Sequence, residues 1–198
     1  MYVSGNGQLC LFDTEEMGST HPISEYFILI PPDSRITGDF SLLKAILHAE
    51  IPLSPANLRS IAHISLFKIR SRGNEELITQ KVHHALHGLK KFPVKLHGAG
   101  IFTHGKVSAT LYVNIEESTS IQHLHQLLIN EFRASHRTLI PHITIARSIP
   151  IKYLAQLKTM LPVFDYKDEF ICNRIIILKK NISNMDTRYH PFKEIFLE

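Results

Sequence analysis

Ile61-Ala62-His63-Ile64-Ser65-Leu66-Phe67-Lys68 and Ile140-Pro141-His142-Ile143-Thr144-Ile145-Ala146-Arg147 match in kind at almost every place. Each holds a His, an Ile, a hydroxyl residue and a branched aliphatic, then a cation five places after the His. Aliphatic and β-branched residues alternating with polar ones read as strands. Side chains i and i+2 of a strand point the same way, so His63 shares a face with Ser65, and His142 with Thr144. Each strand then carries an imidazole and a hydroxyl roughly 6.5–7 Å apart along its axis. If the strands lie side by side, two imidazoles and two hydroxyls face one small volume.

Such a volume suits phosphate-ester chemistry. A neutral imidazole takes a proton from an attacking water or hydroxyl, and an imidazolium gives one to the leaving oxygen; histidine serves both roles near neutral pH. Hydroxyls donate to non-bridging phosphate oxygens, where charge sits in the transition state. The cations add charge complementarity.

The pair resembles the signature of the 2H phosphoesterase superfamily, named for two His-x-Thr/Ser-x motifs. The second copy is most similar to the branch of bacterial 2′-5′ RNA ligases, also known as RNA 2′,3′-cyclic phosphodiesterases. The resemblance extends over residues 25–198 and departs at Ser65, where Thr is commoner; the hydroxyl stays and the rotamer-fixing methyl is lost. It implies an α+β fold of two similar lobes with mixed or antiparallel sheets, related by a pseudo-twofold axis, and a central cleft between them. By family analogy it implies that His142 activates water and His63 protonates the leaving 3′ oxygen, although the near symmetry of the two motifs leaves the opposite assignment open, and that Ser65 and Thr144 hold phosphate oxygens. Arg147 matches the family's second-motif Arg and would bind phosphate or stack on a base. Lys68 occupies the equivalent place in the first motif, and Phe27, on an aromatic-rich first strand, would touch a base. The implied substrate is RNA or a nucleotide ending in a 2′,3′-cyclic phosphate, opened without metal or other cofactor. An RNA-end binding module without turnover, and a His-rich metal protein, are the alternatives.

The chain has 198 residues, 44% hydrophobic and 20% charged, with a formal net charge of +4. That is enough for one large domain or two small lobes, and the charge suits a polyanionic partner. No apolar run approaches a membrane span, and the start lacks the pattern of a secretion signal. Two cysteines, Cys10 and Cys172, make no disulfide framework. We therefore expect a cytoplasmic monomer with no membrane association.

Residues 1–24 show no sustained period and read as an extension of a single domain over 25–198. Tyr26-Phe27-Ile28-Leu29-Ile30 reads as a buried strand stopped by Pro31-Pro32. A helix over 39–49 is expected to bury Phe40, Leu43, Ile46 and Leu47. Arg70 to Asn74 reads as a basic turn, with Asn74 capping a helix to about Lys90. His83 and His87 on that helix are spaced for a metal, but no acidic or thiol residue joins them, so they read as a wet surface. Gly98 and Gly100 inside a strand over 93–103 suggest a bulge or a close approach. Val107 to Ile115 alternates as the second arm of a hairpin. A helix follows from Ser118 or Thr119 to about Ala134, and Arg133, His136 and Arg137 form a basic cluster before the second motif. Ser148 and Pro150 are expected to open a short helix through Leu161. Glu169–Leu178 and Tyr189–Leu197 read as the last two strands, the latter similar to the family's C-terminal end.

Overall fold

The computed structural model describes residues 2–4, 8–11, 22–135, 138–183 and 188–198, so His136 of the basic cluster and its neighbour Arg137 lie outside the described residues. Among the described residues, ten strands and five α-helices follow one another. They are β1 (Tyr2–Ser4), β2 (Gln8–Leu11), β3 (Ile23–Ile30), α1 (Ser34–Glu50), α2 (Pro55–Arg59), β4 (Ile64–Arg72), α3 (Glu75–Leu86), β5 (Phe92–His104) and β6 (Ser108–Ile115). Then come α4 (Thr119–Glu131), β7 (His142–Pro150), α5 (Leu154–Met160), β8 (Lys167–Cys172), β9 (Arg174–Asn181) and β10 (His190–Phe196). Helices and a largely antiparallel sheet make this an α+β fold.

The motif strands stand at the centre of the sheet order β10-β9-β3-β4-β7-β6-β5-β8, with every neighbouring pair antiparallel. β4 and β7 meet at one registered pair, Ile64↔Ile143, the residue after each motif His. Antiparallel strands that overlap only at their starts run away from each other. Past the overlap, β2 takes the open edge of β4 in parallel, Leu9↔Ile69 through Leu11↔Ser71. Residues 9–11 of the N-terminal extension are thus paired into the sheet.

Consecutive strands β8 and β9 lie in different halves: β8 pairs with β5, and β9 with β3 and β10. Asn173 alone separates them. Successive Cα atoms are about 3.8 Å apart, so this link forces the sheet to curl until its two ends meet. The chain end closes the seam: Leu197 N–H donates to Asn173 O at 2.9 Å, and Lys91 N–H to Glu198 O at 2.9 Å. The Ile-rich run read as one strand over 169–178 is therefore two. Local extended propensity does not reveal that the hydrogen-bonding partner changes at Asn173.

Side-chain caps start α1, α2 and α3, whereas Ser118, expected as a cap, makes no side-chain cap hydrogen bond before α4. Asp33 accepts from Ile36 N–H at 2.9 Å and starts α1 five residues earlier than expected. Asn74 accepts from Leu77 N–H at 3.0 Å, with Glu75 and Glu76 in the first turn. The basic stretch before it is strand, not turn: Arg70 and Arg72 belong to β4, and the turn is Gly73 at φ 76°. α3 ends at Leu86, so His87 is its cap and no longer shares a helix face with His83. Ser148 caps nothing; it lies within β7 at φ 56°. α1 buries Ile36, Phe40, Lys44 and Leu47, while Ile46 faces out. Ile36, Phe40 and Leu47 join the buried apolar side chains of α3 and α4 and Ile64, Ile69, Ile143 and Ile145 in one core.

Both glycine readings in β5 hold. Gly98 has φ 77°, and the β5–β6 register shifts between Leu96 and Ala99. A Cβ on Gly100 would sit 2.5 Å from Tyr112 Cζ. That tyrosine stacks on Phe102 at 4.0 Å, so it has little room to retreat. We predict that Gly100→Ala destabilises the fold by about 1–3 kcal/mol through overpacking, read as a lowered thermal midpoint; an unchanged midpoint would show that the ring moves freely.

Candidate functional site

Parity decides which motif residues meet. Ile64 and Ile143 are paired and fully buried, so their neighbours His63, Ser65, His142 and Thr144 turn to the opposite face. On a regular strand the cation five places after the His would point back into the core. Each motif strand instead carries one extra residue. In β4 the register passes from Leu29↔Ser65 to Ile28↔Phe67, leaving Leu66 unmatched. In β7 it passes from Tyr112↔Thr144 to Leu111↔Ala146, leaving Ile145 unmatched. Both bulges show as two consecutive buried residues, Leu66-Phe67 and Ile145-Ala146. The bulge reverses the alternation, so exposed Lys68 and Arg147 share the face of the histidines and hydroxyls.

Both imidazoles are held alike. His63 Nδ1 donates to Ile61 O at 2.7 Å, and His142 Nδ1 to Ile140 O at 2.8 Å. A carbonyl oxygen only accepts, so Nδ1 carries the proton and Nε2 is the nitrogen left for a ligand. Burial lowers both pKa values from the ordinary histidine value, against the effect of those carbonyl bonds.

The surroundings differ. His63 is further lowered by Lys68, Lys44 and Arg147, whereas no cation is among the causes at His142. His142 is packed instead by the edges of Phe102 and Tyr112, at 5.2 and 5.1 Å between ring centres. Phe27 touches His63 edge-on at 5.3 Å and is only 6% exposed. Lys68 Nζ lies 4.4 Å from the Phe27 centroid, so this ring offers a base an edge at most and serves chiefly as support for His63. Phe27 also packs on Tyr189, whose hydroxyl donates to the buried Glu25 carboxylate. Arg70 and Lys180, the registered neighbours of Glu25 in β4 and β9, lie 3.1 Å from the same carboxylate. Buried charge is tolerated when paired in this way.

Besides Glu25, Phe102 and Tyr112, two further contributors escaped sequence reading. Lys44 is 2% exposed, and its ammonium donates to the backbone oxygen and the hydroxyl of Ser60, just before the first motif. The signal was a lysine in step with Ile36, Phe40 and Leu47. Asn57, on a short helix hidden between Pro55 and the motif, bonds the backbone of Arg147. No local pattern marks that contact, since its partner is 90 residues away.

Three of the histidines outside the motifs gather elsewhere. His84, His87 and His123, with Glu131, line an open cavity of about 460 Å³ at α3 and α4, and His84 Nδ1 is 2.5 Å from Glu131. Among the described residues, no group of three or more His, Cys, Asp or Glu is placed to hold a metal ion. No described helix is long and apolar enough to cross a membrane.

Comparisons with known proteins agree with this architecture. The chain matches Escherichia coli LigT, solved with NADP+, at TM-score 0.63 and 16% identity over 88% of this chain and 98% of LigT. It matches TT0787 of Thermus thermophilus at TM-score 0.61 and 14% identity, over 87% and 97% of the two chains. A structure described as a phosphoesterase matches at TM-score 0.61 and 17% identity, over 89% and 98%. No curated protein matches by sequence. The sequence profile described as the 2′-5′ RNA ligase superfamily matches residues 40–182, a span that includes both motifs, and the chain accordingly belongs to that superfamily of 2H phosphoesterases.

Proposed function

We propose that this protein is a metal-independent phosphodiesterase that opens 2′,3′-cyclic phosphate ends of RNA or nucleotides, with 2′-5′ RNA ligation as the parallel outcome when a 5′-hydroxyl replaces water as the nucleophile. The observation that carries the reading is the pair of bulged motif strands. They present two imidazoles with free Nε2 atoms, two hydroxyls and two cations on one face. LigT was solved with 3′-AMP and with phosphate, ligands that such a face suits. Residues 25–198 form the bilobal catalytic unit, and 1–24 the extension.

In this reading the neutral Nε2 of His142 takes a proton as water oxygen bonds to phosphorus. The P–O3′ bond breaks, and protonated His63 gives its Nε2 proton to O3′, leaving a 3′-hydroxyl and a 2′-phosphate. The assignment of the two roles follows the family. Ser65 and Thr144 donate to the non-bridging oxygens, where charge accumulates. Arg147 and Lys68 draw the anion in; Phe102 and Tyr112 offer aromatic surface beside His142. Incubation with a panel of 2′,3′-cyclic phosphates, with products resolved into 2′- and 3′-phosphates, tests the proposal. Tight RNA-end binding without turnover would favour the binding-module reading instead.

Either His63→Ala or His142→Ala is expected to lower kcat by about 10²–10⁴-fold with the fold intact, because general acid–base catalysis supplies that much. Near-wild-type turnover by either variant would sink the mechanism.

Activity should survive excess EDTA. The motif side chains are two imidazoles and two neutral hydroxyls, a poor donor set for Mg²⁺ and short of the usual Zn²⁺ ligands. Loss on chelation with recovery on adding metal back would contradict this.

A bell-shaped pH profile of kcat/KM is expected, since one imidazole must be neutral and the other protonated. The apparent pKa values belong to the coupled pair. Both histidines are lowered, so the acidic limb should fall below the ordinary histidine value. Arg147 lowers His63, so Arg147→Ala should move the limb dominated by His63 to higher pH by more than the other. Equal shifts in both limbs, or none, would place the guanidinium elsewhere.

A further inference from the structure

We propose that Asn57 is a positioning residue for Arg147: its carboxamide replaces a missing strand and thereby aims the guanidinium of one half of the sheet at the His63 side of the site. The inference rests on the phosphate-binding role proposed for Arg147.

The backbone of Arg147 lacks a regular partner on either side. Toward β6 the register passes from Leu111↔Ala146 to Ala109↔Ile149, so Arg147 and Ser148 together face Thr110. Ser148 takes φ 56°, a conformation unusual for a residue with a side chain. On the other edge β7 has already run past the start of β4, whose pairing stops at Ile64↔Ile143. The peptide N–H and C=O of Arg147 therefore need a partner from outside the sheet.

Asn57 supplies both bonds. Its Oδ1 accepts from Arg147 N–H at 3.0 Å, and its Nδ2 donates to Arg147 O at 2.9 Å. A carboxamide offers the same donor and acceptor as a peptide group, so one side chain does the work of one strand residue. Asn57 is itself buried and braced. Its Nδ2 also donates to Ser54 Oγ at 3.3 Å, and its backbone oxygen accepts from Ser60 Oγ at 2.8 Å. Ser60 is tied in turn to the buried ammonium of Lys44. The segment from Ser54 to Ser60 thus braces Arg147 while it leads directly into the His63 motif. Among the described residues no carboxylate pairs with Arg147, and its charge bears on His63, Lys68 and Tyr189, all on the other half of the sheet.

The test combines Asn57→Ala, Arg147→Ala and the double variant. Asn57→Ala should raise KM for a 2′,3′-cyclic phosphate by about three- to tenfold with a smaller change in kcat. In the Arg147→Ala background it should add nothing. NMR titration of the His63 ring needs no turnover: its midpoint should rise in Arg147→Ala, rise part of the way in Asn57→Ala, and go no further in the double variant. Multiplying KM effects, or a His63 midpoint untouched by Asn57→Ala, would overturn the inference, as would a lowered melting temperature with KM and midpoint unchanged. Should Asn57→Ala fail to fold, Asn57→Ser, which keeps one hydrogen-bonding group, is read in the same way. A wild-type protein inactive on every cyclic phosphate would defeat the proposed function, while the His63 titration would still decide the role of Asn57.

Discussion

One extra residue in each motif strand controls what this protein presents to a ligand. Strand alternation alone would send Lys68 and Arg147 to the face opposite their histidines. The bulges at Leu66 and Ile145 absorb one step of the alternation, and the next apolar pair stays buried on both sides of it. His, hydroxyl and cation then share a face without giving up any core contact. The core helps to hold each bulge: moving Leu66 or Ile145 out to restore a regular strand would expose an aliphatic side chain, at a cost of about 1.5–3 kcal/mol for a full removal from the core.

The two halves use that device in different electrostatic settings. Each imidazole is oriented by a carbonyl two residues back, which leaves Nε2 for chemistry. Around His63 stand Lys44, Lys68 and Arg147, the last contributed by the opposite half of the sheet. Around His142 stand the rings of Phe102 and Tyr112. A near-symmetric pair of motifs thus becomes a polar site, with anion attraction strongest at one histidine and aromatic surface at the other. The Glu25 carboxylate balances part of this charge, and through Tyr189 it steadies the Phe27 ring that supports His63.

Closure of the sheet ties the halves together. Asn173 passes the chain from β8 to β9 in a single step, and the C-terminal residues bond across that seam. At the other junction β4 and β7 share only Ile64↔Ile143, with β2 and Asn57 filling the edges they leave open. The site lies at this overlap, where relative movement of the halves would bear most directly on the distance between His63 and His142.

The sequence by itself determined the motif pair, the strand character of both copies, the shared face of His and hydroxyl, the Asn74 cap and the two special glycines of β5. Each of these is local: it follows from alternation, capping chemistry or the absence of a Cβ within a few residues. It misread Ile46 as buried where Lys44 is, because helical periodicity cannot foresee that Ser60 would receive a buried ammonium. It missed the break at Asn173, because the residues on either side are equally extended and only their pairing partners differ. Only the tertiary structure decided that Lys68 and Arg147 turn toward the histidines. A bulge is defined by the register of one strand against another, and that register exists only once β3 has paired with β4, and β6 with β7.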